Sequence, residues 1–261
     1  MPAAYAHYRF GHQALTALSP ELQKTVKAHA RLFDAGLHGP DPMFFHNISR
    51  RDRVYELASR FHHIPGGVLF DGFCARLRHP EDPRETAYLF GLLAHYALDS
   101  QCHPYIVELD SVGTCPHSQL ETEFDRFLLA LDGEPLPHTR DLGAHLRLGP
   151  EELEIMARFF PPVTAKQMTR CMRTMTWVTK TLSANGLFSR SILEWAVPRL
   201  GETVRHQFMP RQPDPRAAAY DQPLLALYQE ALNRFPSLAR QLEDHLYRGT
   251  HLGADFAPIM G

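Results

Sequence analysis

The chain has 261 residues, 44% of them hydrophobic and 21% charged, which excludes a disordered or fibrous protein and leaves enough apolar material for a full core. A formal net charge of −2 exerts no global pull toward polyanions, so no stable nucleic-acid partner is expected. The longest apolar run, residues 87–98, is interrupted by Gly91 and His95 and falls short of the ~18 residues that a membrane-spanning helix needs, so no transmembrane segment is expected.

The first residues, Met1-Pro2-Ala3-Ala4-Tyr5-Ala6-His7, lack the basic and then apolar pattern of a secretory leader, and a cytoplasmic location is the expectation. Cys74, Cys102, Cys115 and Cys171 form no CxxC pair, which argues for free thiols and against a cysteine-based zinc ribbon.

Taken in chain order, the pattern is helical throughout. Ser19-Pro20-Glu21 reads as an N-cap with proline at the first helical position, opening a helix to about residue 35. Gly36 and Gly39-Pro40-Asp41-Pro42 close it in a tight loop. Helices over about 50–61 and 67–77 follow. Residues 84 to about 103 form a central helix that is apolar on nearly every side, hence buried, and Pro104 ends it. The next helix spans about 116–131 and stops at Asp132-Gly133. Beyond a connector at 133–137 the spacing predicts helices near 150–159, 164–182, 187–207, 222–233 and 236–247, with a proline-rich loop at 210–215. No alternating strand pattern and no internal repeat are present. The expectation is one all-α domain over 1–261, with a chemical half at about 1–131 and a helical buttress at about 138–261.

The chemistry is concentrated in the central helix. His95, Asp99 and His103 stand at i, i+4 and i+8, so their side chains stack on one helix face. A buried carboxylate is costly unless paired or metal-bound. A hydrogen-bonded His–Asp pair inside the core would satisfy the first two residues; a third donor in register favours a metal. His117 and Glu121 repeat the i, i+4 spacing one short loop later, where an ordinary surface pair is the alternative. Two helices that each offer histidine and carboxylate to a common centre are a recurrent way to hold divalent metal in a helical protein.

Asp41, held between two prolines, is either a turn residue or a rigidly presented ligand or base. His62-His63 ends a helix and could simply meet the helix dipole. His7 could be a satisfied core histidine. Asp125 shares the His117–Glu121 face, but Arg126 beside it suggests a salt-bridged surface. The remaining histidines, including His12, His38, His46, His79, His145 and His206, have no partner at useful spacing. No glycine-rich phosphate loop, GxSxG or HExxH is present.

Several stretches together resemble one family. They are Tyr5-Ala6-His7-Tyr8-Arg9-Phe10-Gly11, His38-Gly39-Pro40-Asp41-Pro42, Phe61-His62-His63-Ile64-Pro65, His95-Tyr96-Ala97-Leu98-Asp99-Ser100-Gln101-Cys102-His103-Pro104 and His117-Ser118-Gln119-Leu120-Glu121. In this order they resemble the zinc-dependent phospholipase C family, bacterial enzymes related to the P1/S1 nucleases, over about residues 1–131. The resemblance implies an all-α bundle with clustered zinc, two or three ions per chain. It implies that Asp41, His62, His95 and Asp99 hold one ion, that His103, His117 and Glu121 hold a second, and that His7 with a bridging Asp99 holds a third. The N-terminal amine that serves as a ligand in the secreted enzymes is not carried over, because the residues before His7 are spaced differently.

Nitrogen and carboxylate donors suit zinc, and clustered metals activate water and clamp a phosphate. Asp41 would orient that water or take its proton. The expected function is therefore a zinc-dependent phosphodiesterase acting on a phospholipid or another phosphoester. A P1/S1-type nuclease and a non-catalytic metal-binding helical protein are the alternatives.

Overall fold

The computed structural model describes residues 4–77, 82–183, 187–199 and 208–261. Among these residues there is no strand, and the protein is all-α. The long helices are α1 (Ala4–Ala14), α2 (Pro20–Ala28), α3 (Ala30–Gly36), α4 (Arg53–His62), α5 (Gly66–Cys74), α6 (Pro83–Ser111) and α7 (His117–Leu131). They continue with α8 (Pro150–Phe159), α9 (Ala165–Leu182), α10 (Leu187–Ala196), the short α11 (Pro215–Ala218) and α12 (Asp221–Arg248). No helix of the described residues is long and apolar enough to cross a membrane.

The axis of the bundle is α6. The Asp82 carboxylate caps it by accepting from the Arg84 amide at 2.9 Å, and Pro83 sits at its first turn. Every residue from Glu85 to Ser100 is buried, as an apolar surface on all sides requires. Helices α1, α2, α3 and α12 pack around it. The closest approach is made by two glycines. A Cβ on Gly91 would lie 2.3 Å from the Phe33 carbonyl oxygen, and one on Gly36 would lie 2.9 Å from the Gly91 Cα. Only hydrogen side chains allow α3 and α6 to touch backbone to backbone there. The chain leaving α3 is thereby laid against His95.

Local signals place most helix ends within a few residues of expectation, and the departures have identifiable causes. Ser19 caps α2 through the Leu22 amide at 3.4 Å. The helix expected to reach residue 35 instead breaks at His29, whose φ of −123° and ψ of 39° are not helical, and restarts as α3. Pro104 does not end α6, which runs on to Ser111. Its ring lies on an exposed face while Ile106 and Leu109 beyond it are buried. The two helices expected at 222–233 and 236–247 are a single α12 with Pro236 inside. Its buried residues Leu224, Tyr228, Ala231, Phe235, Leu238 and Leu242 keep helical spacing straight through the proline. A proline in a helix interior costs about 3 kcal/mol, whereas each large apolar side chain buried contributes about 1.5–3 kcal/mol, so the apolar face wins. The helix expected at 187–207 is observed as α10 followed by a 3-10 turn at Val197–Arg199, and its remainder lies outside the described residues, as does His206. His79 and Met1 to Ala3 also lie outside them.

Candidate metal centre

The eight side chains singled out by sequence come from five segments. Helix α1 supplies His7, the 3-10 turn Asp41–Phe45 supplies Asp41, and α4 supplies His62 at its last position. Helix α6 contributes His95, Asp99 and His103, and α7 contributes His117 and Glu121. All are buried except His117, which is half-buried. Three groups of donor atoms each fall within 4.8 Å of one another: His7, His95 and Asp99; Asp41, His62 and His95; and His103, His117 and Glu121. His95 belongs to two of these groups, whereas the resemblance shares Asp99 between two ions.

The pairing distances are short. His95 Nε2 stands 3.0 Å from Asp99 Oδ2, and His7 Nε2 stands 3.1 Å from Asp99 Oδ1. His62 Nε2 lies 3.0 Å from Asp41 Oδ1. Glu121 Oε1 faces His103 Nε2 at 3.2 Å and His117 Nε2 at 3.1 Å, and Asp99 Oδ1 reaches His103 Nε2 at 3.6 Å. Of the neighbouring pair, His62 is the inward residue, while His63 is exposed and donates to the Ser59 carbonyl.

The backbone fixes which imidazole nitrogen carries the proton. A carbonyl oxygen only accepts, so a ring nitrogen facing one must be N–H. His62 Nδ1 faces the Ala58 carbonyl at 2.8 Å, His95 Nδ1 the Leu37 carbonyl at 3.1 Å, and His103 Nδ1 the Met260 carbonyl at 2.9 Å. In the neutral ring each Nε2 is then a bare lone pair lying close to a carboxylate oxygen: His62 faces Asp41 and His103 faces Glu121, while His95 Nε2 and Asp99 Oδ2 stand 3.0 Å apart without a hydrogen bond between them. A lone pair opposite a carboxylate is repulsive unless a proton or a metal ion stands between them. Backbone carbonyls that lock Nδ1–H in this way are the usual outer support of metal-binding histidines. The donor set also fits zinc: two ligands ~2.0–2.1 Å from a tetrahedral ion stand about 3.3 Å apart, near the separations seen here.

Electrostatics point the same way. Burial pushes Asp41 up, but the hydrogen bond with His62 and the charge of His95 take it down to about 2. Burial opposes ionisation of Asp99 as well, yet His103, His95 and His7 hold it well below the usual carboxylate range. Glu121 is depressed likewise against the push of burial, with the charge of His117 and the hydrogen bonds of His103 and His117 among the causes. Conversely, burial disfavours charge on His95 and His103, but Asp99 raises the first, and Asp99 with Glu121 raises the second to about 9. Three ionised carboxylates in a dry interior demand cationic partners.

The tight loop that delivers Asp41 depends on Gly39, whose φ of +50° lies in the left-handed region and whose missing side chain leaves room for the His95 ring 2.3 Å from a built Cβ. His38, on that loop, was without a sequence partner. In the structure it is fully buried, with its Nε2 2.8 Å from His145 Nε2. Tyr8 packs on the His145 ring and on His12, and His12 pairs with Asp34 at 2.9 Å. Burial pushes His38 well below its ordinary pKa and His145 down to about 4, so both are neutral and one donates to the other. No local spacing connects residues 107 apart, and the pair was invisible in the sequence.

Asp125 is not a surface residue. It is 1% exposed and accepts from the Tyr5 and Ala6 amides at 3.0 and 2.8 Å, capping α1 from a neighbouring helix, while Arg126 pairs with Glu123. Its burial raises its pKa to about 8.

The family model for zinc dependent phospholipase C matches residues 6–171. The chain belongs to this family. No curated protein and no solved structure matches it. The span matched to zinc dependent phospholipase C contains all eight candidate donors, whereas Met260, whose carbonyl orients His103, lies beyond it.

Proposed function

We propose that the chain is a zinc-dependent phosphodiesterase that hydrolyses the headgroup esters of phospholipids. The observation that carries this reading is the set of three imidazoles whose Nδ1–H groups are tied to backbone carbonyls while their Nε2 lone pairs face ionised carboxylates. In this reading Asp41, His62 and His95 hold one ion, His103, His117 and Glu121 a second, and His7 with Asp99 a further one beside His95. Bound zinc supplies Lewis-acid activation of water and positive charge for the substrate phosphate.

The protein's own part is preorganisation. Backbone carbonyls hold three rings in one tautomer, Gly39 lets the loop reach His95, and buried carboxylates stay ionised. Asp41 would take the proton of the attacking water at its carboxylate. Its side chain is 4% exposed and ionised, and it sits on a turn stiffened by two prolines.

Chelator-stripped protein should release no phosphorylated headgroup from phosphatidylcholine and should recover on addition of zinc. Asp41→Asn should lower kcat about 100-fold or more even at saturating zinc, and should also reduce the stabilisation that zinc confers, because Asp41 is both proposed base and proposed ligand. Zinc-restored protein that cleaves single-stranded DNA but no phospholipid would replace this reading with the nuclease one.

A further inference from the structure

The outer face of α9 carries an ordered stripe of cations. The Thr164 hydroxyl and the Gln167 side chain cap the helix, and Met168, Cys171, Met172, Met175 and Val178 bury its inner face. Lys166, Arg170, Arg173, Trp177 and Lys180 are all exposed. They recur at intervals of four and three, which places them on one helix face over about 21 Å. Residues 165–182 contain four basic side chains and no aspartate or glutamate, within a chain of net charge −2. Exposed Arg147 stands beside the stripe.

Several arginines elsewhere in this protein are neutralised locally: Arg9 by Asp132, Arg126 by Glu123, Arg158 by Glu85, Arg211 by Glu194 and Arg216 by Asp214. Among the described residues, none of the five cations around α9 makes such a pair. Trp177, 59% exposed, interrupts the stripe. Below it lies a groove of about 720 Å³ with an apolar floor that includes Leu148, Leu153 and Met172 and a rim of Arg147, Arg173 and Lys180. Asp141, the acid lining that groove, is engaged by the Gly143 amide at 3.0 Å.

We infer that this face of α9 docks on an anionic phospholipid bilayer. The cations complement the phosphate plane, and lysine and arginine near such a surface add their attractions. Trp177 takes the interfacial position that tryptophan favours, with its ring among the headgroups. A nucleic acid would satisfy the same charges, but the apolar floor beneath Trp177 matches acyl chains and not a sugar–phosphate backbone. The inner face of the same helix packs on the Asp41–Phe45 turn, so a bilayer held here lies about one helix diameter, ~10 Å, from the segment that carries Asp41. The inference deepens the phospholipase reading by naming how the protein meets its substrate's surface.

The test is flotation of the full chain with vesicles of phosphatidylcholine alone and of phosphatidylcholine mixed with phosphatidylglycerol, at low salt and at about 0.15 M salt. The expected result is about tenfold or greater preference for the anionic vesicles, weakened by salt. The triple variant Arg170→Glu, Arg173→Glu, Lys180→Glu should lose the preference, and Trp177→Phe should lose the vesicle-induced blue shift of fluorescence while remaining folded. Both should hydrolyse a monomeric short-chain phospholipid like wild type. Equal partition onto the two vesicle types, a triple variant that binds unchanged, or binding to a single-stranded oligonucleotide in place of vesicles would overturn the inference. Anionic-vesicle binding with no phosphoester hydrolysis would uphold the docking face and sink the proposed reaction; hydrolysis of the monomeric lipid without vesicle binding would do the reverse.

Discussion

Asp99 is the residue on which the cluster turns, and Asp99→Asn tests it with almost no change in shape. Its two oxygens stand 3.1 Å from His7 Nε2 and 3.0 Å from His95 Nε2, with His103 Nε2 at 3.6 Å. Asparagine keeps the volume but removes the charge on which three imidazoles converge. Loss even of an outer support typically weakens metal binding 10–100-fold, so about 100-fold is a conservative expectation for this position. At zinc equal to about 1,000 times the wild-type Kd, bound metal stabilises wild type by about 4.1 kcal/mol. A 100-fold weaker site leaves about 1.4 kcal/mol, a loss of about 2.7 kcal/mol. For a protein of this size that is roughly 5–11 °C in Tm. The measurement is calorimetric: the rise in Tm on adding zinc to metal-free wild type, compared with the same rise in the variant. Taking this difference removes any effect of the substitution on the metal-free fold. If His95 and Asp99 were only a hydrogen-bonded core pair, zinc would shift both proteins equally or not at all, and that result would refute the argument.

Acid–base behaviour gives a second expectation. His95 and His103 have raised folded pKa values, the latter about 9, so their stabilisation of the metal-free protein is full below about pH 6.5 and is lost as pH rises toward about 9. Asp41, Asp99 and Glu121 are depressed, so their contribution is present above about pH 4 and is lost as pH falls through their folded values. Metal must displace the imidazole protons, so zinc affinity should climb through the window from about 6.5 to 9 with proton release, which calorimetric titration in buffers of different ionisation enthalpy would read. A third expectation concerns the last residues. The Pro258 carbonyl accepts from the Gly66 amide at 2.9 Å and from the Tyr96 hydroxyl at 3.1 Å, the Gly261 amide donates to the His62 carbonyl at 3.0 Å, and the Met260 carbonyl holds His103. Deleting residues 258–261, which spares the packing of Phe256 on Tyr96, should weaken zinc binding about 10–100-fold; unchanged affinity would show that the carbonyl does not orient the ring.

The sequence by itself determined whatever depends on neighbours one or two helical turns apart. The His95–Asp99–His103 face and the His117–Glu121 pair follow from helical periodicity alone, as do the burial of α6 and the capping of α2 by Ser19. His7, Asp41 and His62 were different. Each had an adequate ordinary explanation, and only family resemblance drew them toward the same centre. Pro104 does not end its helix because Ile106 and Leu109 beyond it are buried, which the local backbone rule does not register; at 236 the apolar face that overrides the rule is itself visible in the spacing.

Tertiary structure decided the rest, because it concerns contacts between segments that periodicity does not relate. The Gly36–Gly91 contact, not any motif, lays Asp41 beside His95. The tautomers of His62, His95 and His103 are set by carbonyls of Ala58, Leu37 and Met260, and a backbone carbonyl leaves no trace in a residue's identity. Asp125, beside Arg126, has the local pattern of a surface acid, and only the packing of α1 places the Tyr5 and Ala6 amides on it. The cations of α9 are spread through the sequence at intervals of three and four, and a net charge near zero conceals them. Only when the inner face of that helix is buried does the outer face become a single positive surface.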